Sequence, residues 1–321
     1  MLKTLPPGAL EWPHRAAIVG AGTMGLGVAE SWIAAGVAVN LVDISPELTQ
    51  LALARLTQRV RGHVEAGLVD AALAERVGGM PHFGDIASAV SDVDLVFEAV
   101  FERIEVKREV LGAIEAAARP EALIASNTSS LPIDDLAAML ERPQRFFGMH
   151  WFNPPEWTPG IELIPAQITD PQAIAQARGF LQAIGKHPIE VGSGPGFVAN
   201  RIQLALFREA LACVEDGLAS PAQVDEVVRT CFGFRLPFFG PFQIADMAGL
   251  DVYRHVFGIL EGGLGERFRA PAALDALVDR GQYGTKTGAG FFSYTAEERE
   301  RLLIERDRRY AALSELLEQL P

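Results

Sequence analysis

The chain has 321 residues, 49% hydrophobic and 21% charged, enough for two domains and a large core. Its formal net charge of -13 argues against a nucleic-acid partner, because no overall basic field draws phosphates, and no apolar run reaches the length of a membrane span. Cys213 and Cys231 form no close-spaced metal or redox motif, so a reducing compartment and a metal-free site are expected.

In chain order, residues 1–14 hold Pro6 and Pro7 and lack a long apolar segment, which is not the pattern of a signal peptide; a cytoplasmic protein is expected. Ala16 to Val19 read as a short buried strand, and Gly20-Ala-Gly-Thr-Met-Gly25 follows. A helical pattern runs from about Met24 to Ala35, with Gly36 placed to end it, and Val37 to Asp43 reads as the next strand. In such a G-x-G-x-x-G turn, Gly20 allows the tight turn, Gly22 lets the backbone approach a pyrophosphate, and Gly25 lets helix and strand pack closely. The N–H groups of the helix N-terminus, Thr23 and Met24 among them, and its dipole favour that pyrophosphate. Asp43 falls where a carboxylate binds ribose hydroxyls and repels a 2′-phosphate, which predicts NAD rather than NADP.

Further along, Asp94 to Phe97, Ala122 to Ala125, Phe146 to His150 and Ile161 to Ile164 are strand candidates. Helical patterns cover Glu47 to Ala66, Lys107 to Ala118 and Pro171 to Ile184. This alternation predicts an α/β fold: a doubly wound Rossmann-type domain, its parallel sheet covered on both faces, followed by an all-helical domain. Gly192-Ser-Gly-Pro-Gly196 reads as the linker. Beyond it, Phe197 to Glu215 is a long amphipathic helix that Gly217 can stop, and Ser220-Pro-Ala-Gln223 has the form of a capping box. The tail from Ala296 to Leu320 is a charged amphipathic helix. The expected division is 1–192 for the dinucleotide, 193–295 for substrate and dimerisation, and 296–321 as a helical tail.

Of the six histidines, His150 sits in the most suggestive place. It ends an apolar run, and in open α/β sheets ligands bind outside the carboxyl ends of the strands. Glu162 lies inside another apolar run, where a carboxylate needs a partner. A His–Glu pair is a sound base for an alcohol, because the carboxylate orients the imidazole and stabilises its protonated form. Periodicity alone leaves a second reading open, a core histidine bonded to backbone.

The chain resembles the L-3-hydroxyacyl-CoA dehydrogenase family over nearly its whole length. The resemblance rests on Gly20-Ala-Gly-Thr-Met-Gly25, Glu98-Ala-Val-Phe-Glu102 with Lys107, Ser126-Asn-Thr-Ser-Ser-Leu131, and His150-Trp-Phe-Asn-Pro154 with Glu162. It continues through Pro195-Gly-Phe-Val-Ala-Asn-Arg201, Gly240-Pro241 with Asp246, and Lys286-Thr-Gly-Ala-Gly-Phe291. It implies that His150 takes the proton of a 3-hydroxyl while hydride passes to NAD, with Glu162 as the orienting partner. It also implies that Ser129 and Asn200 donate near the reacting oxygen and the nicotinamide, that Asn153 helps hold the site, and that Glu102, Lys107 and Lys286 line the cofactor. The leading substrate class it implies is a 3-hydroxyacyl-CoA, and the helical half is expected to form a homodimer.

The segment from Trp151 to Ile161, with its Asn-Pro-Pro form and two tryptophans, also resembles relatives that oxidise free hydroxy acids, carnitine, sugar acids or pyridine carboxylates. The alternative function is therefore a CoA-free dehydrogenase on the same fold, and a third is a binding protein without turnover. Arg55, Arg59 and Arg61 either meet CoA phosphates or form a solvated face. Trp151, Glu156 and Trp157 either cage a quaternary ammonium or pack at a contact. Phe232, Phe234, Phe238, Phe239 and Phe242 serve either a subunit contact or a core.

Overall fold

The computed structural model describes residues 2, 4–6 and 8–319, so Met1, Lys3, Pro7, Leu320 and Pro321 of the segments named above lie outside the described residues. The chain forms two compact units, Met1–Leu206 and Phe207–Pro321. The division falls inside the helix that follows the glycine-proline stretch.

The first unit holds strands β1 (Arg15–Val19), β2 (Ala38–Val42), β3 (His82–Phe83), β4 (Leu95–Glu98), β5 (Leu123–Ser126), β6 (Phe146–Trp151), β7 (Gly160–Pro165) and β8 (His187–Glu190). Its helices are α1 (Thr23–Ala34), α2 (Pro46–Glu65), α3 (Ala71–Gly78), α4 (Ile86–Val90), α5 (Ile104–Ala117), α6 (Ile133–Ala137) and α7 (Pro171–Ala183). The strand order is β3-β2-β1-β4-β5-β6-β7-β8. Up to β6 this is the doubly wound dinucleotide order, with the ligand crevice beyond the carboxyl ends of β1 and β4.

The central strands alternate their side chains between two apolar layers. Ala16 and Ile18 of β1 enter one core with Trp32, Phe97 and Phe147, while Ala17 and Val19 enter the other with Leu111, Ile114 and Phe146. Trp32 is fully buried and meets the rings of Phe97, Trp151 and Phe180 edge-on. At α2, Ser45 caps the N-terminus through Leu48 N–H, and Pro46 takes the first helical position.

The expected all-parallel sheet needs one correction: β6 and β7 are antiparallel. A parallel return requires a crossover of about a dozen residues or more, usually a helix, and residues 152–159 form only a short turn-rich loop. Within this unit five strands and helices escaped the pattern reading, namely β3, β8, α3, α4 and α6. Each is too short for a period of two or 3.6 to stand out.

Helix α8 (Ala199–Glu215) starts at Ala199, two residues after the expected Phe197. Gly196 and Phe197 both adopt positive φ, +71° and +47°, so the chain turns sharply before the helix begins. No residue of α8 is buried.

In the second unit, α9 (Pro221–Val227) carries the capping box of Ser220 and Gln223. It is followed by α10 (Pro241–Ala248), α11 (Leu250–Leu264), α12 (Ala272–Asp279) and α13 (Ala296–Gln319). Leu250, Leu274, Leu277 and Val278 make its core. Buried Asp246 accepts from Phe291 N–H, Phe292 N–H and the Tyr294 hydroxyl, tying α10 to the 289–294 turn. Phe234, Phe238 and Phe239 gather around Tyr310 of α13, while Phe242 packs on Phe291.

Candidate active site

The glycine turn is shaped by close approach. A Cβ on Gly20 (φ +103°) would lie 2.5 Å from the Ala99 carbonyl, and one on Gly25 would lie 2.0 Å from the Gly20 carbonyl. A Cβ on Gly22 would meet nothing within 4 Å, which leaves the space a pyrophosphate needs. Thr23 is exposed and Met24 half-buried in the first turn of α1. Asp43 directly follows β2 with its carboxylate already fixed: Ala21 N–H donates to Oδ2 (2.7 Å) and Ile44 N–H to Oδ1 (2.6 Å). A carboxylate has about four acceptor sites, so two remain for ribose hydroxyls. The residues present therefore fit a dinucleotide.

Beside this turn lies a buried ion lattice. Lys107 is 1% exposed and donates to both oxygens of fully buried Glu98, at 2.8 and 3.0 Å. Ser126 Oγ and Val100 N–H also donate to Glu98. Lys107 reaches Glu102 at 3.4 Å. Glu102 Oε1 in turn accepts from the Thr128 hydroxyl (2.7 Å), Ser129 N–H (2.8 Å), Ser130 N–H (2.9 Å) and the Ser130 hydroxyl (3.0 Å). Burial opposes its charge, but the bond from Thr128, the Lys107 charge and the bonds from Ser129 and Ser130 outweigh it and hold the carboxyl below its usual range. Glu102 thus pins the loop that carries Ser129, and Lys107 acts through the two glutamates.

The antiparallel pairing sets His150 directly opposite Glu162. His150 Nδ1 and Glu162 Oε2 are 2.8 Å apart, and both residues are buried. Glu162 Oε1 accepts from Val198 N–H (3.1 Å) and Ala199 N–H (2.9 Å) at the start of α8. Burial raises the Glu162 pKa, but His150 and these two N–H groups lower it further, so the carboxylate stays ionised below the usual range. The imidazole lies against the rings of Phe152 and Phe197, with centroids at 4.4 and 5.7 Å. Such an arrangement keeps Nδ1 as the donor and presents Nε2 as a base.

Asn200 Nδ2 donates to the Ser129 carbonyl (3.0 Å), which joins α8 to the Ser129 loop. Among the described residues the Ser129 hydroxyl has no protein partner. Asn127 Oδ1 accepts from Trp151 N–H (3.0 Å) and fixes the end of β6. Asn153 is exposed on the loop beyond. The first unit therefore brings together His150, Glu162, Ser129 and Asn200, with Glu102 and Lys107 behind the Ser129 loop. Lys286 belongs to the second unit, where it donates to Asp251 at 2.8 and 3.1 Å.

The tryptophan segment resolves differently from a ligand cage. Trp151 is 1% exposed, and its ring carries the ammonium of Lys186 at 5.2 Å from the centroid. Lys186 Nζ also donates to the carbonyls of Pro155 (2.7 Å), Glu156 (3.2 Å) and Thr158 (2.9 Å). Burial pushes its pKa down to about 8, against the opposing pull of Glu156. Trp157 turns instead to the ring of His63 on α2. His63 Nδ1 and Arg59 both bond fully buried Glu30 of α1, each at 2.8 Å. Arg59 is thereby neutralised, whereas Arg55 and Arg61 are exposed.

Glu98, Asn127, Gly27 and Lys186 were given no role in the sequence reading. Glu98 ends a buried strand and needed a partner. Gly27 signalled close approach by standing inside a helix; a Cβ there would lie 2.3 Å from Pro155 and 2.7 Å from Glu156 Oε2. Lys186 carried no local signal.

Residues 15–194 match the 3-hydroxyacyl-CoA dehydrogenase, NAD binding domain, and residues 196–294 the 3-hydroxyacyl-CoA dehydrogenase, C-terminal domain. A 5-formyl-3-hydroxy-2-methylpyridine 4-carboxylate 5-dehydrogenase of Mesorhizobium japonicum is 38% identical over 303 residues, 94% of this chain and 97% of the relative. A probable 3-hydroxybutyryl-CoA dehydrogenase of Bacillus subtilis is 34% identical over 278 residues, 86% of this chain and 96% of the relative. The crystal structure of a 3-hydroxyacyl-CoA dehydrogenase from Archaeoglobus fulgidus aligns with a TM-score of 0.77 at 30% identity, over 95% of this chain and 99% of that one.

Proposed function

The chain belongs to the 3-hydroxyacyl-CoA dehydrogenase family, and from that premise we propose that it is an NAD-dependent dehydrogenase whose general base is His150. The buried His150–Glu162 pair carries the reading. NAD, when bound, supplies the hydride acceptor. Gly20, Gly22, Thr23, Met24, Gly25 and Asp43 would hold its adenosine diphosphate half, and Glu102, Ser129 and Asn153 would line the nicotinamide side, with buried Lys107 acting behind them through Glu98 and Glu102 rather than lining the cofactor itself. His150 Nε2 takes the substrate hydroxyl proton, and the imidazolium is stabilised by Glu162. Ser129 and Asn200 donate to the oxygen as its charge develops.

The favoured substrate is a small, CoA-free hydroxy compound. Two observations support it: the pairing of Arg59 with Glu30, which removes a cation from α2, and the 38% identity to a pyridine carboxylate dehydrogenase. The acyl-CoA reading keeps Arg55 and Arg61, both exposed, and the relative named for hydroxybutyryl-CoA. A screen of NADH formation on 3-hydroxybutyryl-CoA, free 3-hydroxybutyrate, carnitine, a sugar acid and a hydroxymethyl pyridine carboxylate separates them. Brisk turnover of the CoA ester alone, with KM raised by Arg61→Ala, decides for acyl-CoA. His150→Gln should fold, bind NADH and lose about 10²–10⁴ in kcat; near-normal turnover removes His150 from the mechanism.

A homodimer completes the proposal. Phe207 on α8 is 63% exposed and Ile259 on α11 62%, and a second copy covers such apolar surface most simply. Sedimentation of the wild type as a monomer at micromolar concentration refutes this.

A further inference from the structure

We infer that Lys186 is a positioning residue for the dehydrogenase reaction: its ammonium fills a cation site built from the loop 152–159 and the face of Trp151, and so holds the segment that joins His150 to Glu162. The inference rests on the proposed dehydrogenase reading of that pair.

The carbonyls of Pro155, Glu156 and Thr158 converge on Nζ at 2.7, 3.2 and 2.9 Å. An ammonium has three donors and no acceptor, which matches the three carbonyls. The Trp151 ring adds its negative face at 5.2 Å. Carbonyl dipoles gathered at one point repel one another unless a cation stands among them, and each loses its partner if the cation goes.

The held loop bears directly on the reacting group. It begins with Phe152, whose ring lies 4.4 Å from that of His150, and continues through Asn153. It ends where β7 carries Glu162. On its far side Pro155 and Glu156 sit over Gly27, so the loop also rests on the helix that starts at the glycine turn. Glu156 is 7% exposed, and its Oε2 has no hydrogen-bond partner among the described residues, so this acid acts on Lys186 through its charge and not through a bond. Releasing the Lys186 contacts therefore frees the loop on the His150 side, and small displacements of a positioned base cost about 10²-fold in rate.

The test uses the full-length protein with NADH. Two quantities are measured: hydrogen exchange of residues 152–159, and kcat and KM on whichever probe of the substrate screen the wild type turns over. Lys186→Ala should exchange faster across the loop and lose about 10²-fold in kcat, with NADH affinity and KM changed little. Added propylammonium should restore both slow exchange and turnover, and 1-propanol neither, because the site takes a cation and not merely volume. Lys186→Arg should keep most activity; Lys186→Gln, which keeps donors but no charge, should behave like the alanine variant and serves if that one fails to fold. Unchanged exchange and kcat in Lys186→Ala, or equal rescue by propanol, overturns the inference. If the wild type turns over no probe, the dehydrogenase reading falls instead, and the exchange rates with and without propylammonium still decide whether Lys186 holds the loop.

Discussion

Replacing Glu162 by glutamine should be nearly as damaging as removing His150, for a reason visible in the bonding. Glu162 Oε1 is held by two backbone donors, Val198 N–H at 3.1 Å and Ala199 N–H at 2.9 Å. In the variant this position must remain the amide oxygen, since an NH₂ group there would face two donors. The NH₂ group then occupies the Oε2 position, 2.8 Å from His150 Nδ1. It can only donate, so Nδ1 becomes the acceptor and the proton moves to Nε2. His150 then has no lone pair to offer the substrate. The corresponding acid-to-amide change in a Ser-His-Asp triad costs about 10⁴ in kcat, and a positioned general base is worth about 10²–10⁴. We expect kcat to fall by about 10³, or about 4 kcal/mol of transition-state stabilisation. The fold should be kept, because every bond to the backbone is kept, while stability falls by the contribution of the ionised carboxylate. The assay is NADH formation at saturating substrate, with thermal unfolding as the control for folding. A kcat within threefold of wild type would refute the tautomer argument.

Lys107→Met should leave Glu98 as an unpaired buried charge and destabilise the protein by about 3–5 kcal/mol, read by urea denaturation; a loss under about 1 kcal/mol would show that the lattice reorganises without cost. Asp43→Asn should narrow the cofactor preference, since wild type is expected to favour NAD over NADP by at least about tenfold in kcat/KM, about 1.4 kcal/mol; equal use of both cofactors by wild type counts against the ribose role. Glu102 and Glu162 have folded pKa values below their unfolded ones. Their contribution to stability is therefore fully present above the unfolded value of about 4.3 and is lost as pH falls through the lower folded values. Glu102→Gln should flatten the acid limb of a stability-versus-pH curve, and an unchanged limb contradicts the assignment.

The dinucleotide turn was legible because its information is local. Gly20, Gly22 and Gly25 act through backbone shape within one strand-turn-helix, and Asp43 directly follows the next strand, so contiguous residues carry the whole argument. The capping box of Ser220 and Gln223 and the stop at Gly217 were legible for the same reason. His150 and Glu162 were also readable as a candidate pair, but their union was decided by the antiparallel register of β6 and β7, which no single strand encodes. The third partner of that pair, the start of α8, depends on the positive-φ turn at Gly196 and Phe197. Long charged side chains were the least predictable, because the face they turn to is set by what else is buried there. Thus Arg59, which from sequence faced either CoA or solvent, is bound to Glu30 across helices, and Lys107 is sealed against Glu98. The supposed ammonium cage at Trp151 is filled by Lys186, a residue distant in sequence that burial and three converging carbonyls bring to the ring.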